Sequence, residues 1–414
     1  MSASAGLSRR IVRKVLAIRA ADLPPEAVAK AKLALIDYIS CMFESLDLPQ
    51  SIQAMRVSSS GSNSDAAFVN AVLGHGLVRE DMHTGSVSHL GVVIFPTLLA
   101  LARSRKIDGR EFLTSAICGY EVGAAIGRAL MDAETVRVFR PTGITGTLGA
   151  AMAGARMLGL DEDACVTAVG FAANTTVGLN EWAQSGADDM FFHVGYAARN
   201  AVTAVELAEA GARASEGALD GPAGLFAALR RPERVADVKL FERERLEILE
   251  VFHKPAGACN YAQTAIQAAS QLGVVGDDIQ SVRVCCTAAA LNYPGCNATG
   301  PFGSILQAKM SIQHGVSQAL GIEPTQVALE EDPQLTAAYP GKQGSEVIAI
   351  LRDGREARLR LDDLTPASDD DVFERYDAAA SAYLGGARTD MVTEMIDSME
   401  TQKDLAKLGE LLGR

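Results

Sequence analysis

Hydrophobic positions recur near the 3.6-residue period through the first 230 or so residues of the chain, which predicts one helix after another. The N-terminal stretch reads as an amphipathic helix. Leu23-Pro24-Pro25-Glu26 is a helix start, with proline in the first turn, and leads into AVAKAKLALIDYISCMF. A polar loop, RVSSSGSNSD (56–65), precedes DAAFVNAVLGHGL, VVIFPTLLALARSR, FLTSAICGYEVGAAIGRAL, GTLGAAMAGARMLGL and YAARNAVTAVELAEAG. Gly146, Gly149, Ala150 and Gly154 recur at about one-turn spacing, so these helices should pack at short axial distance. After about residue 245 the pattern changes. SVRVCCTAA (281–289) is short and β-branched. VIAILRDGREARLRL (347–361) alternates as a hairpin, with Asp353-Gly354 suited to a two-residue type I′ turn. LQAKMSIQHGVSQALG between them reads as one helix, and the tail from about 370 is helical again.

The expected fold is therefore mostly α. A large all-helical domain (1–248 together with 366–414) is joined by a smaller α/β, or α+β, lid domain (249–365). At 414 residues two domains are the natural expectation. An apolar content of 48% with 21% charged residues is globular composition, and 5% aromatics favours closely packed helices over a β-sandwich. No apolar run reaches the roughly 18 residues of a membrane span, and the N-terminus lacks a signal-peptide core, so a cytoplasmic location is expected. The net charge of −13 argues against nucleic acid and anionic membrane as partners. It also requires that an anionic substrate meet a local concentration of cations. The seven scattered cysteines contain no CxxC pair, which predicts reduced, mostly buried thiols.

P-loop, GxGxxG, HExxH and GxSxG signatures are absent. Histidine is informative because there are only six, and His75, His83 and His89 fall within fifteen positions beside Arg79, Glu80 and Asp81. The intervening Gly, Ser and Thr predict a helix end followed by a loop, a common place for binding groups; a solvated polar loop is the competing reading. The DxHx5H spacing lacks a third ligand for a metal. Lys254 sits at the predicted domain junction, where a plain surface lysine is the alternative. Arg140 precedes a helix N-terminus able to accept an anion, or is an ordinary helix-flanking arginine. His314, taken alone, reads more readily as a buried structural histidine than as a catalyst.

Six windows in order, DMHTGSVSHLG, GYEVGAAIGRAL, FRPTGITGTLGAAMAGARMLGL, HVGYAARNAVTAVELAEAG, HKPAGACNYAQTAI and AKMSIQHGVSQAL, resemble the MmgE/PrpD family over about residues 10–365. That family includes 2-methylcitrate dehydratase, cis-aconitate decarboxylase and iminodisuccinate epimerase. The resemblance implies a homodimer, a cleft between a helical domain and a lid, no organic cofactor, and a small di- or tricarboxylate substrate. Carried over by position, it implies catalytic roles for His89, Lys254, His83 and His314. Asp81, Arg79, Arg140, His193 and Arg199 would bind substrate. The chain departs from the family pattern where Arg140 replaces a histidine, Met190 a lysine, Gln263 a histidine and Arg79 an aspartate, which implies an altered substrate. The shared chemistry is removal of a proton α to a carboxylate. The expected reaction is a 2-methylcitrate dehydratase-like elimination, with epimerisation and decarboxylation as alternatives. An inactive binding protein on the same scaffold is the non-enzyme alternative.

Overall fold

Proline opens several of the observed helices, because its missing N–H costs nothing in a first turn. Pro25–Glu44, Pro49–Val57 and Pro141–Met157 all begin this way. Side chains cap others: Ser62 accepts from the Asp65 amide, Asp108 from that of Arg110, and Asp161 from that of Ala164. The computed structural model describes residues 5–58, 61–103, 105–176 and 178–413. The polar loop expected at 56–65 is confined to a shorter gap between Val57 and Asn63, and its residues 59 and 60 lie outside the described ones.

The fold is mostly helical with two small sheets. Helices Gly109–Leu130 and Pro141–Met157 run side by side, as the small-residue spacing predicted. A Cβ on Gly149 would come within 2.5 Å of the Gly119 carbonyl, so that approach demands glycine. Helix Asp369–Leu384 packs back on Pro25–Glu44. No helix among the described residues is long and apolar enough to cross a membrane.

The two sheets place the site. Strand β1 (Met82–His83) pairs antiparallel with β2 (Val251–Phe252), Met82 opposite Phe252. Two residues beyond the paired Met82 and Phe252 stand Glu80 and Lys254, whose charges act on each other. The larger sheet holds β3 (Ile279–Cys286), β4 (Val327–Glu331), β5 (Ser345–Leu351) and β6 (Glu356–Leu361), in the order β4-β3-β5-β6. Strand β4 is parallel to β3, and β5 and β6 are antiparallel to their neighbours.

Two local expectations are corrected. The hairpin between β5 and β6 turns through three residues, not two. The Gly354 amide bonds the Leu351 carbonyl, and the Leu351 amide bonds the Arg355 carbonyl. Gly354 takes φ +85° while Asp353 stays at negative φ, so a type I turn with a glycine bulge replaces type I′. The segment read as one helix over 306–321 is two, Ile305–Met310 and Ile312–Leu320, because Ser311 is extended and caps the second through the His314 amide. Strand β4 went unpredicted.

Buried apolar side chains gather mainly into two clusters. One unites the N-terminal helices with the C-terminal tail. The other centres on the four-stranded sheet and its helices, and it takes in Val78, Trp182, Met190 and Phe191 from the helical part of the chain. The groups described next lie along that seam.

Candidate active site

Glu80 is the hub of the charged groups at the seam. Its carboxylate contacts His75 Nδ1 and stands 3.3 Å from His89 Nδ1. The two imidazoles are 5.5 Å apart, centre to centre. Burial opposes ionisation of Glu80, but His75, His89 and Lys254 outweigh it and hold the carboxyl below its usual range. Burial also lowers the pKa of His75 and moves that of His89 well below its ordinary value, against the pull of Glu80; Lys254 and Arg140 push His89 further down.

The tautomer of His89 follows from its partners. Nδ1 lies 2.9 Å from the Asp81 carbonyl, which can only accept, so Nδ1 carries the hydrogen and Nε2 keeps its lone pair. His89 lines a nearly filled cavity of about 10 Å³ with Arg140, Cys259 and Tyr293. Its amide is anchored to Thr142 Oγ1 at 3.1 Å, in the first turn of the helix that Arg140 precedes.

Lys254 is fully buried, and its Nζ finds no hydrogen-bond partner among the described residues. Burial lowers its pKa to about 8; Glu80 and Cys259 oppose that shift and Arg140 adds to it. The main chain around Lys254 is fixed, since its carbonyl accepts from Arg375 at 2.9 Å and the preceding carbonyl accepts from the Ala367 amide. Gln263 braces the turn that follows. Its Oε1 accepts from the Ala256 amide, and its Nε2 donates to the carbonyls of Ala256, Ala258 and Cys259 at 3.0–3.2 Å.

Arg140 is buried and donates to the Tyr293 hydroxyl at 3.2 Å. His193 lies close by: a Cβ on Gly178 would touch both Arg140 and His193 Nδ1. Burial, then Arg140 and His75, lower the pKa of His193 to about 4. Several buried polar atoms without a partner among the described residues lie here: His75 Nε2, Glu80 Oε2, Arg140 Nε, His193 Nδ1 and Lys254 Nζ. Such atoms are costly unless something meets them.

Other expected site residues are engaged elsewhere. His83 neighbours Met82 on β1, and side chains alternate along a strand, so Met82 faces the pocket and His83 turns away. The Ser86 amide donates to His83 Nδ1, and His83 Nε2 donates to Glu247 at 2.9 Å. A wider groove of about 300 Å³ opens on that side past Arg128 and Arg243. Glu247 already holds both arginines, at 2.9 and 3.5 Å. Arg79 is bound to Glu44 at 2.7 Å and Ser40 at 3.0 Å. Arg199 pairs with Asp65 at 2.6 Å and lies over the Phe68 ring. His314 is only partly buried and rests edge-on against Phe302, outside the His89 pocket. The Asp81 carboxyl points into the helical core, where Tyr120 donates to it at 2.6 Å. Burial raises its pKa to about 7, partly offset by that hydrogen bond.

Sequence reasoning missed Glu80 and His75 as a pair, although their five-residue separation across a helix end was visible. It also missed Tyr293 and Lys309. Lys309 Nζ ties the Leu77 and Gly257 carbonyls together, joining the two chain segments that carry Glu80 and Lys254. No disulfide joins the seven cysteines among the described residues; Cys259 and Cys296 are 3.4 Å apart, Sγ to Sγ, as thiols.

The model of the MmgE/PrpD N-terminal domain matches residues 9–236. A cis-aconitate decarboxylase-like protein of Aspergillus oryzae is 23% identical, covering 96% of this chain and 95% of its own length. Cis-aconitate decarboxylase of Aspergillus terreus is 25% identical over 54% of this chain and 50% of its own length. The human cis-aconitate decarboxylase is 31% identical over 39% of this chain and 34% of its own length.

Proposed function

Because the chain belongs to the MmgE/PrpD family, we propose that it is a carboxylate-acting lyase of the dehydratase or decarboxylase type, working through a carbanion next to a carboxylate. The observation that carries this reading is the buried, unpartnered ammonium of Lys254 beside a histidine whose tautomer is fixed.

A proton α to a carboxylate leaves slowly in water because the resulting enolate is poorly stabilised. His89 Nε2, neutral and with its lone pair free, is suited to take that proton; a positioned base of this kind contributes about 10²–10⁴-fold. Lys254 supplies a positive charge for the developing enolate, or a proton for the leaving hydroxyl. Because it is already desolvated, its charge acts at low dielectric without reorganisation at the moment of reaction. Arg140 suits the carboxylate itself, since a planar guanidinium matches its two oxygens. Glu80 keeps the two histidines oriented and the local positive charge in check.

The test is incubation of the protein in D₂O with a panel of hydroxy- and unsaturated carboxylates, followed by proton NMR. Loss of an α-proton signal or formation of product is expected for at least one member. His89→Ala and Lys254→Ala should each reduce the rate by about 10² or more. Absence of both exchange and product across the panel, or variants equal to the wild type, would sink the reading.

A further inference from the structure

Building on the function just proposed, we infer that Arg375 and Asp37, neither of which borders the His89 cavity, are positioning residues that set where the Lys254 ammonium points. The need for them is visible at the lysine itself. Lys254 Nζ has no hydrogen-bond partner among the described residues, and its charge rides on a flexible four-carbon stem. No hydrogen bond among those residues holds the tip. Its direction has to come from the main chain and the packing at its base. Misplacing a reacting group by about 1 Å can cost about 10²-fold in rate.

Two helices 338 positions apart meet at that base. Arg375, on helix Asp369–Leu384, donates through one terminal nitrogen to the Lys254 carbonyl at 2.9 Å and through the other to Asp37 Oδ1 at 2.6 Å. Asp37, on helix Pro25–Glu44, accepts at Oδ2 from His253 Nδ1 at 2.9 Å. This carboxyl is fully buried. Burial opposes its ionisation, but His253, Arg375 and Arg79 outweigh it and hold its pKa below the usual value. One guanidinium and one carboxylate thus grip the chain on both sides of the lysine stem, at the side chain before it and the carbonyl after it. With His253 drawn to this side, the groups that act on the next side chain, Lys254, are Glu80, Cys259 and Arg140.

Stability alone is a poor account of this pair. A buried ion pair gains little over well-packed hydrocarbon of the same volume, because both charges lose their water. Hydrocarbon, however, cannot hold a carbonyl and an imidazole in one geometry. The planar fork of an arginine meets Asp37 and the Lys254 carbonyl together at fixed angles. A lysine, with a single point of charge, does not reproduce that bridge.

The experiment uses the full-length protein and the carboxylate panel above, with citrate, malate and cis-aconitate among its members. Proton NMR in D₂O reads exchange or product as a function of substrate concentration and pH. Arg375→Lys keeps the charge beside Asp37, so it should fold; its kcat should fall about tenfold or more while KM stays within about threefold. The falling limb that Lys254 sets at about pH 8 should move to higher pH, because a lysine no longer held in place regains water. Arg375→Met strands a buried carboxylate and should lose stability. Asp37→Leu/Arg375→Met removes both charges and should recover the thermal midpoint, yet stay about tenfold or more below wild type in kcat. Recovery of kcat along with stability in the double variant reduces the pair to a structural role and overturns the inference. So does an Arg375→Lys protein whose kcat and pH limb match wild type, or whose loss is confined to KM; each leaves the lyase reading standing. A wild type inert on the whole panel removes the lyase reading, and the inference falls with it.

Discussion

Glu80 Oε1 lies 3.3 Å from Nδ1 of His89 and touches Nδ1 of His75 as well, so one carboxylate oxygen orients two imidazoles. Its charge also raises the pKa of Lys254 against the effect of burial. Glu80→Gln should therefore do two things. The rate of α-proton exchange should fall by roughly 10²-fold as His75 loses its carboxylate partner and Lys254 its opposing charge. The proposed mechanism needs neutral His89 and protonated Lys254, so in the wild type the rate should fall as pH rises through about 8. Without the Glu80 charge, that falling limb moves to lower pH. A pH profile of kcat/KM measures it, and a limb that stays in place would mean Glu80 has no electrostatic hold on the lysine.

Lys254 is a buried cation without a hydrogen-bond partner among the described residues, which is a stability cost. Lys254→Met should raise unfolding free energy by ~1–3 kcal/mol while abolishing turnover, since a well-packed apolar replacement removes the desolvation penalty. Denaturant unfolding and activity on the same preparation decide the matter. A destabilised Met variant would show that the ammonium has a structural partner.

His83 and His89 should separate cleanly. His83→Ala leaves the buried Glu247 carboxylate short of one donor, with Arg128 still in place, and should cost about 1–3 kcal/mol of stability. Its kcat should stay within a few-fold of wild type. Large loss of kcat in a folded His83→Ala protein would return His83 to the active site.

Asp81 gives a pH dependence of stability. Its folded pKa is raised to about 7 by burial, above an unfolded value near 3.9. The folded state therefore binds the extra proton, and this contribution is complete below about pH 4. It is lost progressively as pH climbs through about 7. Asp81→Asn, which can still accept from Tyr120, should flatten that decline. Urea midpoints of both proteins between pH 4 and 8 test it; parallel curves would contradict the assignment.

The helices were readable because their apolar periodicity is long and their starts carry proline or capping side chains. Strand β4 was not, since VALEE is a five-residue edge strand with little alternation and its parallel pairing is set by distant residues. The split at Ser311 hid inside an unbroken helical pattern; a serine is read as a cap only where the preceding turn is seen to end. At the site, His89, Arg140, His193 and Lys254 were identified from sequence, and the fold places all four at the same seam. His83 was misjudged because two residues of strand cannot be told from loop by spacing, and strand geometry is what sends it the other way. Arg79 and Arg199 were misjudged for another reason: their partners, Glu44 and Asp65, lie 35 and 134 positions away. Glu80 escaped notice because, in one dimension, an acid in a polar stretch resembles solvated surface.

Gln263 turns a loose stretch into a fixed mount. One carboxamide grips the main chain at three residues between Ala256 and Cys259, a reach that an imidazole, with a single donor and a single acceptor, does not have. The aim of the lysine is thus governed from a helix that never borders the pocket. Evolution could retune this protein's reactivity at position 263 while every surface the substrate meets stayed the same.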